Sequence, residues 1–89
     1  MVVNPYQEEV NDHVITRVFK ENVESDELVW HRDRNDRIVE ILESDGWYFQ
    51  FEDQLPTEMK KGDVLNIPKE SYHRIIKGSN DLIVKIYEI

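Results

Sequence analysis

Valine and isoleucine together supply 19 of the 89 residues, against five leucines and no alanine. β-branched side chains lose rotamer freedom in a helix but pack well on the pleated surface of a sheet. No segment carries a sustained apolar period of 3.6 residues, which an amphipathic helix would need. The sequence therefore predicts an all-β chain without a long helix.

Seven short segments are predicted as strands because apolar and polar residues alternate in them or because they are mostly apolar. They are His13–Lys20, Glu27–Asp33, Arg37–Glu43, Trp47–Glu52, Asp63–Ile67, Tyr72–Ile76 and Leu82–Glu88. Turn-forming pairs such as Asp45-Gly46 and Lys61-Gly62 lie between them, and this spacing is typical of a sandwich, a jelly roll or a small barrel. We predict one domain, with residues 1–12 as an N-terminal arm or edge strand and residues 13–89 as the barrel.

Charge and composition exclude several classes of function. The 11 basic and 19 acidic residues give a net charge of −8, which repels the phosphate backbone of nucleic acids. No apolar run exceeds three residues, so no membrane-spanning segment is predicted. Since there is no cysteine, disulfides and thiolate metal sites are excluded, and we expect a cytoplasmic protein. A small-molecule ligand remains the expected partner, with neither nucleic acid nor membrane.

Three residues form a candidate metal site. His31 and Asp33 are two positions apart in a predicted strand, so their side chains point to the same face. If a barrel brings His73 opposite that face, the set holds two imidazoles and a carboxylate and leaves coordination positions open. Such a set suits divalent Fe, Mn, Ni or Zn. The alternative is that both histidines are ordinary strand residues satisfied by hydrogen bonds.

Two stretches of the chain resemble the conserved motifs of the cupins. Gly62, Pro68 and His73 match the spacing of the second motif, G-x5-P-x-G-x2-H-x3-N. His31-x-Asp33 followed by Gly46 is similar to the first motif, G-x5-H-x-H-x3,4-E-x6-G. The resemblance covers roughly residues 13–88. It implies a small cupin-type jelly-roll barrel (a double-stranded β-helix), often dimeric, with a divalent metal bound inside by the two motifs.

The chain departs from these motifs at several positions. Asp33 stands where the first motif has its second histidine, and the glutamate position of that motif falls on Arg37 or Ile38. In the second motif, Glu70 replaces the turn glycine and Lys77 replaces the final asparagine. The protein ligand that the glutamate usually supplies is therefore missing, and loss of ligands is how many small cupins become metal-free.

Gln50 and Arg37 are further candidates. A Gln50 carbonyl could replace the missing metal ligand or contact a substrate, but if Phe49 faces the core, Gln50 faces away from it and is a surface residue. Arg37 could hold the carboxylate or phosphate of a substrate. The alternative for Arg37 is a salt bridge to Asp33 or Asp36.

Two functions follow from these features. The first is a metal-binding cupin that acts on or senses a small molecule; as an enzyme it would be of the isomerase, lyase or dioxygenase type. A 2-oxoglutarate oxygenase is not expected, because the chain lacks the extra strands and helices of those enzymes. The second is a non-catalytic, metal-free module for small-molecule binding or dimerisation. Because the strand Trp47–Glu52 has apolar residues on both faces, we expect a homodimer.

Overall fold

The computed structural model describes residues 6–11, 13–22 and 26–89. Within them it contains one 3-10 turn, Asp26–Leu28, and eight strands. The strands are β1 (Tyr6–Asn11), β2 (Val14–Phe19), β3 (Arg37–Glu43), β4 (Tyr48–Phe51), β5 (Thr57–Glu58), β6 (Val64–Ile67), β7 (His73–Ile76) and β8 (Leu82–Glu88). No helix in this part of the chain is long and apolar enough to cross a membrane.

The strands form two antiparallel sheets. The larger sheet has the order β1-β2-β8-β3-β6, and the smaller one has the order β5-β4-β7. Consecutive strands β3 and β4 lie in different sheets, as do β6 and β7. The chain thus crosses repeatedly between two sheets packed face to face, which is the jelly-roll arrangement and confirms the all-β prediction.

Six of the seven predicted strands are present. Arg37–Glu43 and Leu82–Glu88 have the predicted bounds, and the others are shorter by one or two residues at their ends. The prediction for Glu27–Asp33 is wrong: this segment holds the last two residues of the 3-10 turn and a single bridge at His31. The two-residue strand β5 was not predicted. The predicted arm contains the edge strand β1, while residues 1–5 and 12 lie outside the described residues.

The core lies between the two sheets and follows the alternation of side chains along each strand. Val39 and Ile41 of β3 and their cross-strand neighbours Ile86 and Val84 of β8 are buried, and so is Phe49 of β4 in the other sheet. Trp47, just before β4, is completely buried, and its indole N–H donates to the carbonyl oxygens of Ser79 and Asn80. The indole thereby ties the turn before β4 to the turn before β8.

Positive φ angles occur at three positions that are glycines in the motifs. Gly46 and Gly62 have φ of 72° and 93°, and Glu70 has φ of 64°. Only glycine adopts these angles without a steric penalty. Glu70 therefore keeps the left-handed turn of the missing motif glycine, and the chain reaches His73 by the same path.

We expect Gly78→Ala to destabilise the protein. A Cβ at Gly78 would overlap backbone atoms of Asp45, Gly46 and Trp47, which cannot move without breaking the turn. The expected loss in unfolding free energy is about 1–3 kcal/mol or more, measured by urea denaturation. Ser79→Ala is the control, because Ser79 is exposed and contributes its backbone to the turn. Equal stability of the two variants would contradict this close approach.

Candidate metal centre

His31 and His73 are held side by side by the backbone. His73 is the first residue of β7, faces inward and is 2% exposed. The N–H of His31 donates to the carbonyl of His73 at 3.0 Å, and the N–H of His73 donates back at 2.9 Å. This reciprocal pair places the ring centroids 4.3 Å apart.

Both imidazoles are oriented in the same way. Nδ1 of His31 lies 2.8 Å from the carbonyl oxygen of Val29, and Nδ1 of His73 lies 2.9 Å from that of Ser71. Since a carbonyl only accepts, each Nδ1 carries the proton. In the neutral rings both Nε2 lone pairs are then free for a ligand, as in metal-binding histidines whose second nitrogen donates to a carbonyl.

A carboxylate meets each Nε2. Oε2 of Glu27 lies 2.6 Å from Nε2 of His31, and Oδ2 of Asp33 lies 3.2 Å from Nε2 of His73. Both contacts are within ion-pair distance, and Nε2 of His31 and Oδ2 of Asp33 are buried. Two lone pairs at such distances repel, so in the absence of a metal ion a proton is needed between them.

Three of these residues have the spacing of a metal-binding set. One ligand atom each from Glu27, His31 and His73 lies within 4.8 Å of the others. Asp33 adjoins the set through His73. Two imidazole nitrogens and one or two carboxylate oxygens fit a divalent transition metal and leave further coordination positions open.

The carboxylates of Glu27 and Asp33 each contact an arginine. Nη1 of Arg17 donates to Oε1 of Glu27 at 3.3 Å, and Nη1 of Arg37 lies 3.4 Å from Oδ2 of Asp33. Each guanidinium also reaches an outer carboxylate: Arg17 reaches Glu8 at 3.4 Å, and Arg37 reaches Glu88 at 3.1 Å.

These contacts shift three pKa values. Burial by itself would lower the pKa of His31, but contacts with Glu27 and with the Val29 carbonyl outweigh it and raise the pKa above the ordinary 6.5. Burial would raise the pKa of Glu27 and of Asp33. Contacts with the histidines and the arginines reverse this and lower the pKa of both carboxyls. These contacts shift the equilibria toward the protonated form of His31 and the ionised forms of Glu27 and Asp33.

The position of Asp33 depends on the loop between β6 and β7. The carbonyl of Asp33 accepts the N–H of Glu70, and Oδ1 of Asp36 accepts the N–H of Lys69 at 2.7 Å. The segment before β3 is thereby joined to the turn that leads to His73. This explains how Asp33 reaches His73 although the segment is not a strand.

A cavity of about 40 Å³ connects this cluster to the apolar core. The polar side chains of Arg17, Glu27, Asp33, Arg37 and His73 form one part of its wall, and core residues form the rest. A water molecule needs about 10–15 Å³ in such a measure, whereas pockets for organic ligands are typically about 300–1,000 Å³. The cavity therefore has room for an ion and a few water-sized ligands.

Several solved structures share this architecture. A cupin-2 domain protein from Shewanella frigidimarina is 22% identical with a TM-score of 0.66, over 94% of this chain and 79% of that one. A double-stranded β-helix protein of the RmlC-like cupin family from Methanocaldococcus jannaschii is 18% identical with a TM-score of 0.68, over 97% and 82%. The chain has the cupin fold.

A third similar structure is an Fe(II) form of HppE in complex with its substrate. It is 11% identical with a TM-score of 0.67, and the alignment covers 94% of this chain and 52% of HppE. No protein-family model matches the sequence, and no curated protein matches it. At these identities the comparisons establish the fold.

Of the four predicted metal ligands, three lie close together in this fold and the fourth, Gln50, lies apart. His31, Asp33 and His73 converge as the motif spacing predicted, although whether they bind a metal stays a prediction. Gln50 is excluded from the group, because it lies on the outer face of β4, where it accepts a hydrogen bond from Arg74 and donates one to the Gln54 carbonyl. The alternation of β4 thus places Gln50 away from His31, Asp33 and His73.

Arg37 is engaged in the salt bridge that was its alternative interpretation. It contacts Asp33, as predicted for that alternative, and also Glu88, which was not predicted. A substrate-binding role for Arg37 stays a prediction, and a substrate anion would have to compete with both carboxylates.

Two residues of the cluster were missed from the sequence. Arg17 lies between Ile15 and Phe19 on the inward face of β2. A charged residue between two apolar ones on the same face of a strand could have indicated from the sequence that Arg17 is buried. Glu27 lies in a 3-10 turn where a strand was predicted. So short a turn has no periodic pattern of apolar residues from which it could be predicted. In the cupin motif the carboxylate ligand follows the histidines, whereas Glu27 precedes His31.

The metal-free protein should be most stable between about pH 4.5 and 6.5. The lowered pKa values of Glu27 and Asp33 contribute stability that is lost as the pH falls through them. The raised pKa of His31 contributes stability that is present below 6.5 and is lost as the pH rises through its folded value. Urea denaturation in EDTA from pH 4 to 9 measures the loss of unfolding free energy at the acid end and at the alkaline end.

Two histidine variants test whether His31 causes the loss of stability at alkaline pH. His31→Asn should remove much of the decline above pH 6.5, because no proton is then lost at that position. His13→Asn should leave the decline in place, since His13 is exposed and its positive φ is tolerated by asparagine. The same alkaline decline in both variants would contradict the assignment to His31.

Proposed function

We propose that this cupin-fold protein binds a divalent transition metal through Glu27, His31 and His73, with Asp33 as a possible fourth ligand. The observation that carries the proposal is the orientation of the two imidazoles. Backbone carbonyls take both Nδ1 protons, both Nε2 atoms then face carboxylate oxygens, and the ligand atoms of Glu27, His31 and His73 lie within 4.8 Å of one another, a spacing at which one cation could contact all three.

The charges around the site support a divalent ion. Four carboxylates and two guanidiniums form two sets of ion pairs beside the site. In one set Arg17 contacts Glu8 and Glu27, and in the other Arg37 contacts Asp33 and Glu88. Together they carry a formal charge of −2 in the described structure. A divalent ion with neutral histidines would balance this charge, and the balance matters most for Glu27 and Asp33, whose side chains are largely withdrawn from water.

The donor types narrow the choice of metal. Imidazole nitrogens suit Zn, Fe and Ni, carboxylates add Mn, and hard ions such as Ca²⁺ prefer oxygen alone. The structural neighbour HppE was solved with Fe(II), so the cupin fold holds such a metal in at least that protein. We propose Fe, Mn, Ni or Zn for this chain.

The size of the cavity limits what a bound metal could act on. When bound, the ion would supply Lewis-acid polarisation or an activated water. The residues of this chain would orient ligands of only a few atoms, since about 40 Å³ lies behind the cluster. For a metal-binding cupin, ion binding with a small coordinated ligand is therefore favoured over the conversion of a large substrate.

Metal binding should depend on the histidines and Glu27 and not on Gln50. Isothermal titration with Zn²⁺, after purification without a nickel column, should give one ion per chain for the native protein. His31→Asn/His73→Asn should abolish this binding, and Glu27→Gln should weaken it by roughly 10–100-fold or more. Gln50→Ala is the control and should bind as the native protein does. Binding that survives the double substitution would overturn the proposal.

A dimeric form is proposed on a separate observation. The outward side chains of β4 and β7 are Tyr48, Gln50, Arg74 and Ile76, and Glu58 of β5 lies beside Tyr48. Trp30 packs on Arg74 with its ring centre 4.6 Å from the guanidinium carbon. Tyr48 and Trp30 are exposed, at 37% and 41%. An aromatic face that also carries arginine has the composition typical of an interface, and a second copy is its proposed partner.

The dimer can be tested by light scattering at micromolar concentration. The native protein should have twice the mass of one chain, and Tyr48→Glu/Ile76→Glu should be a monomer, because it places charges at the centre of the proposed interface. Val64→Glu, on the exposed side of β6, should remain a dimer. A native monomer, or a dimer that the double substitution leaves intact, would refute this interface.

A further inference from the structure

Glu27 reaches the metal centre from a segment that belongs to neither sheet. It lies in the 3-10 turn Asp26–Leu28, whereas His73 lies in a strand and His31 is paired to it by two backbone hydrogen bonds. A three-residue turn does not by itself hold a carboxylate at a set angle. Side-chain contacts must therefore determine how Glu27 faces the histidines.

The two oxygens of Glu27 have different partners. Oε1 accepts from Nη1 of Arg17 at 3.3 Å, and Oε2 lies 2.6 Å from Nε2 of His31. Asp33 differs, because its Oδ2 faces both His73 and Arg37. Only at Glu27 does an arginine of the described cluster hold one oxygen while the other is presented to the site.

Arg17 is suited to such a task because its own position is fixed. It is 7% exposed, and its strand β2 is paired with β1 on one side and with β8 on the other. Its Nε lies 3.4 Å from Oε2 of Glu8 on β1, which provides a second anchor for the guanidinium.

We propose that Arg17 is a positioning residue that makes Glu27 a monodentate ligand and thereby sets which metal the site prefers; this inference rests on the proposed metal function. With Oε1 held by Arg17, Glu27 offers one oxygen beside two imidazole nitrogens. That set favours Zn²⁺, which takes four ligands, over Mn²⁺, which is larger and better served by additional carboxylate oxygen. Release of Oε1 would let Glu27 bind with both oxygens and reduce the preference.

The experiment compares the dissociation constants of Zn²⁺ and Mn²⁺ by isothermal titration for the native protein and three variants. Arg17→Met removes the donors but keeps much of the buried apolar stem. We expect it to weaken Zn²⁺ binding by roughly 10–100-fold and Mn²⁺ binding much less, so that the ratio of the two constants falls by about tenfold. Arg17→Lys keeps a cation able to hold Oε1 and should retain the native ratio.

Arg74→Met is the matched control. It makes the same chemical change on the outer face of the small sheet, where Arg74 contacts Gln50 and Trp30. The native ratio is expected in this variant. Circular dichroism of each variant verifies the fold, and if Arg17→Met does not fold, Arg17→Gln replaces it, since a glutamine cannot supply the charged contact.

The outcomes separate this inference from the proposed function. If the native protein binds neither ion, the metal function fails. If it binds both and Arg17→Met weakens them equally, Arg17 has only a structural role and the inference is overturned. A fall in the ratio that Arg17→Lys reverses and Arg74→Met does not reproduce supports it.

Discussion

The reciprocal backbone hydrogen bonds between His31 and His73 are the interaction on which the rest of the centre depends. They join a segment without regular strand structure to the edge of the small sheet. Because this bridge aligns the two backbones, both rings project from adjacent positions and both Nδ1 atoms find a carbonyl two residues earlier in the chain. The orientation of the Nε2 atoms follows from this local geometry.

The barrel divides its interior into an apolar part and a charged part. The inward residues of β3, β7 and β8 are apolar except at one end of each strand, where Arg37, His73 and Glu88 stand. Such groups are costly to withdraw from water alone, but here Arg37 contacts Asp33 and Glu88, and His73 contacts Asp33. The apolar part stabilises the sheets, and the charged part provides the only described cluster of histidines and carboxylates with the spacing of a metal site.

Much of the fold was predictable because strands leave a period-two pattern. The bounds of Arg37–Glu43 and Leu82–Glu88 were correct, since both strands lie inside the large sheet with one face on the core. The segment Glu27–Asp33 was not predictable in this way. Its spacing of histidine and aspartate resembled a strand, but its residues are held by contacts with β2, with β7 and with the turn before β7.

The sequence by itself determined most of the strands, the turns at Gly46 and Gly62 and, through motif spacing, the expectation that His31, Asp33 and His73 converge. Alternation, glycine and motif spacing are patterns that the sequence itself carries, and the alternation of β4 also places Gln50 on the outer face. The tertiary structure alone decided that Glu27 joins the cluster and that Arg17 contacts it there. The reason is that a side chain's partner across a barrel depends on the path of segments far away in the chain, and no local pattern records that path.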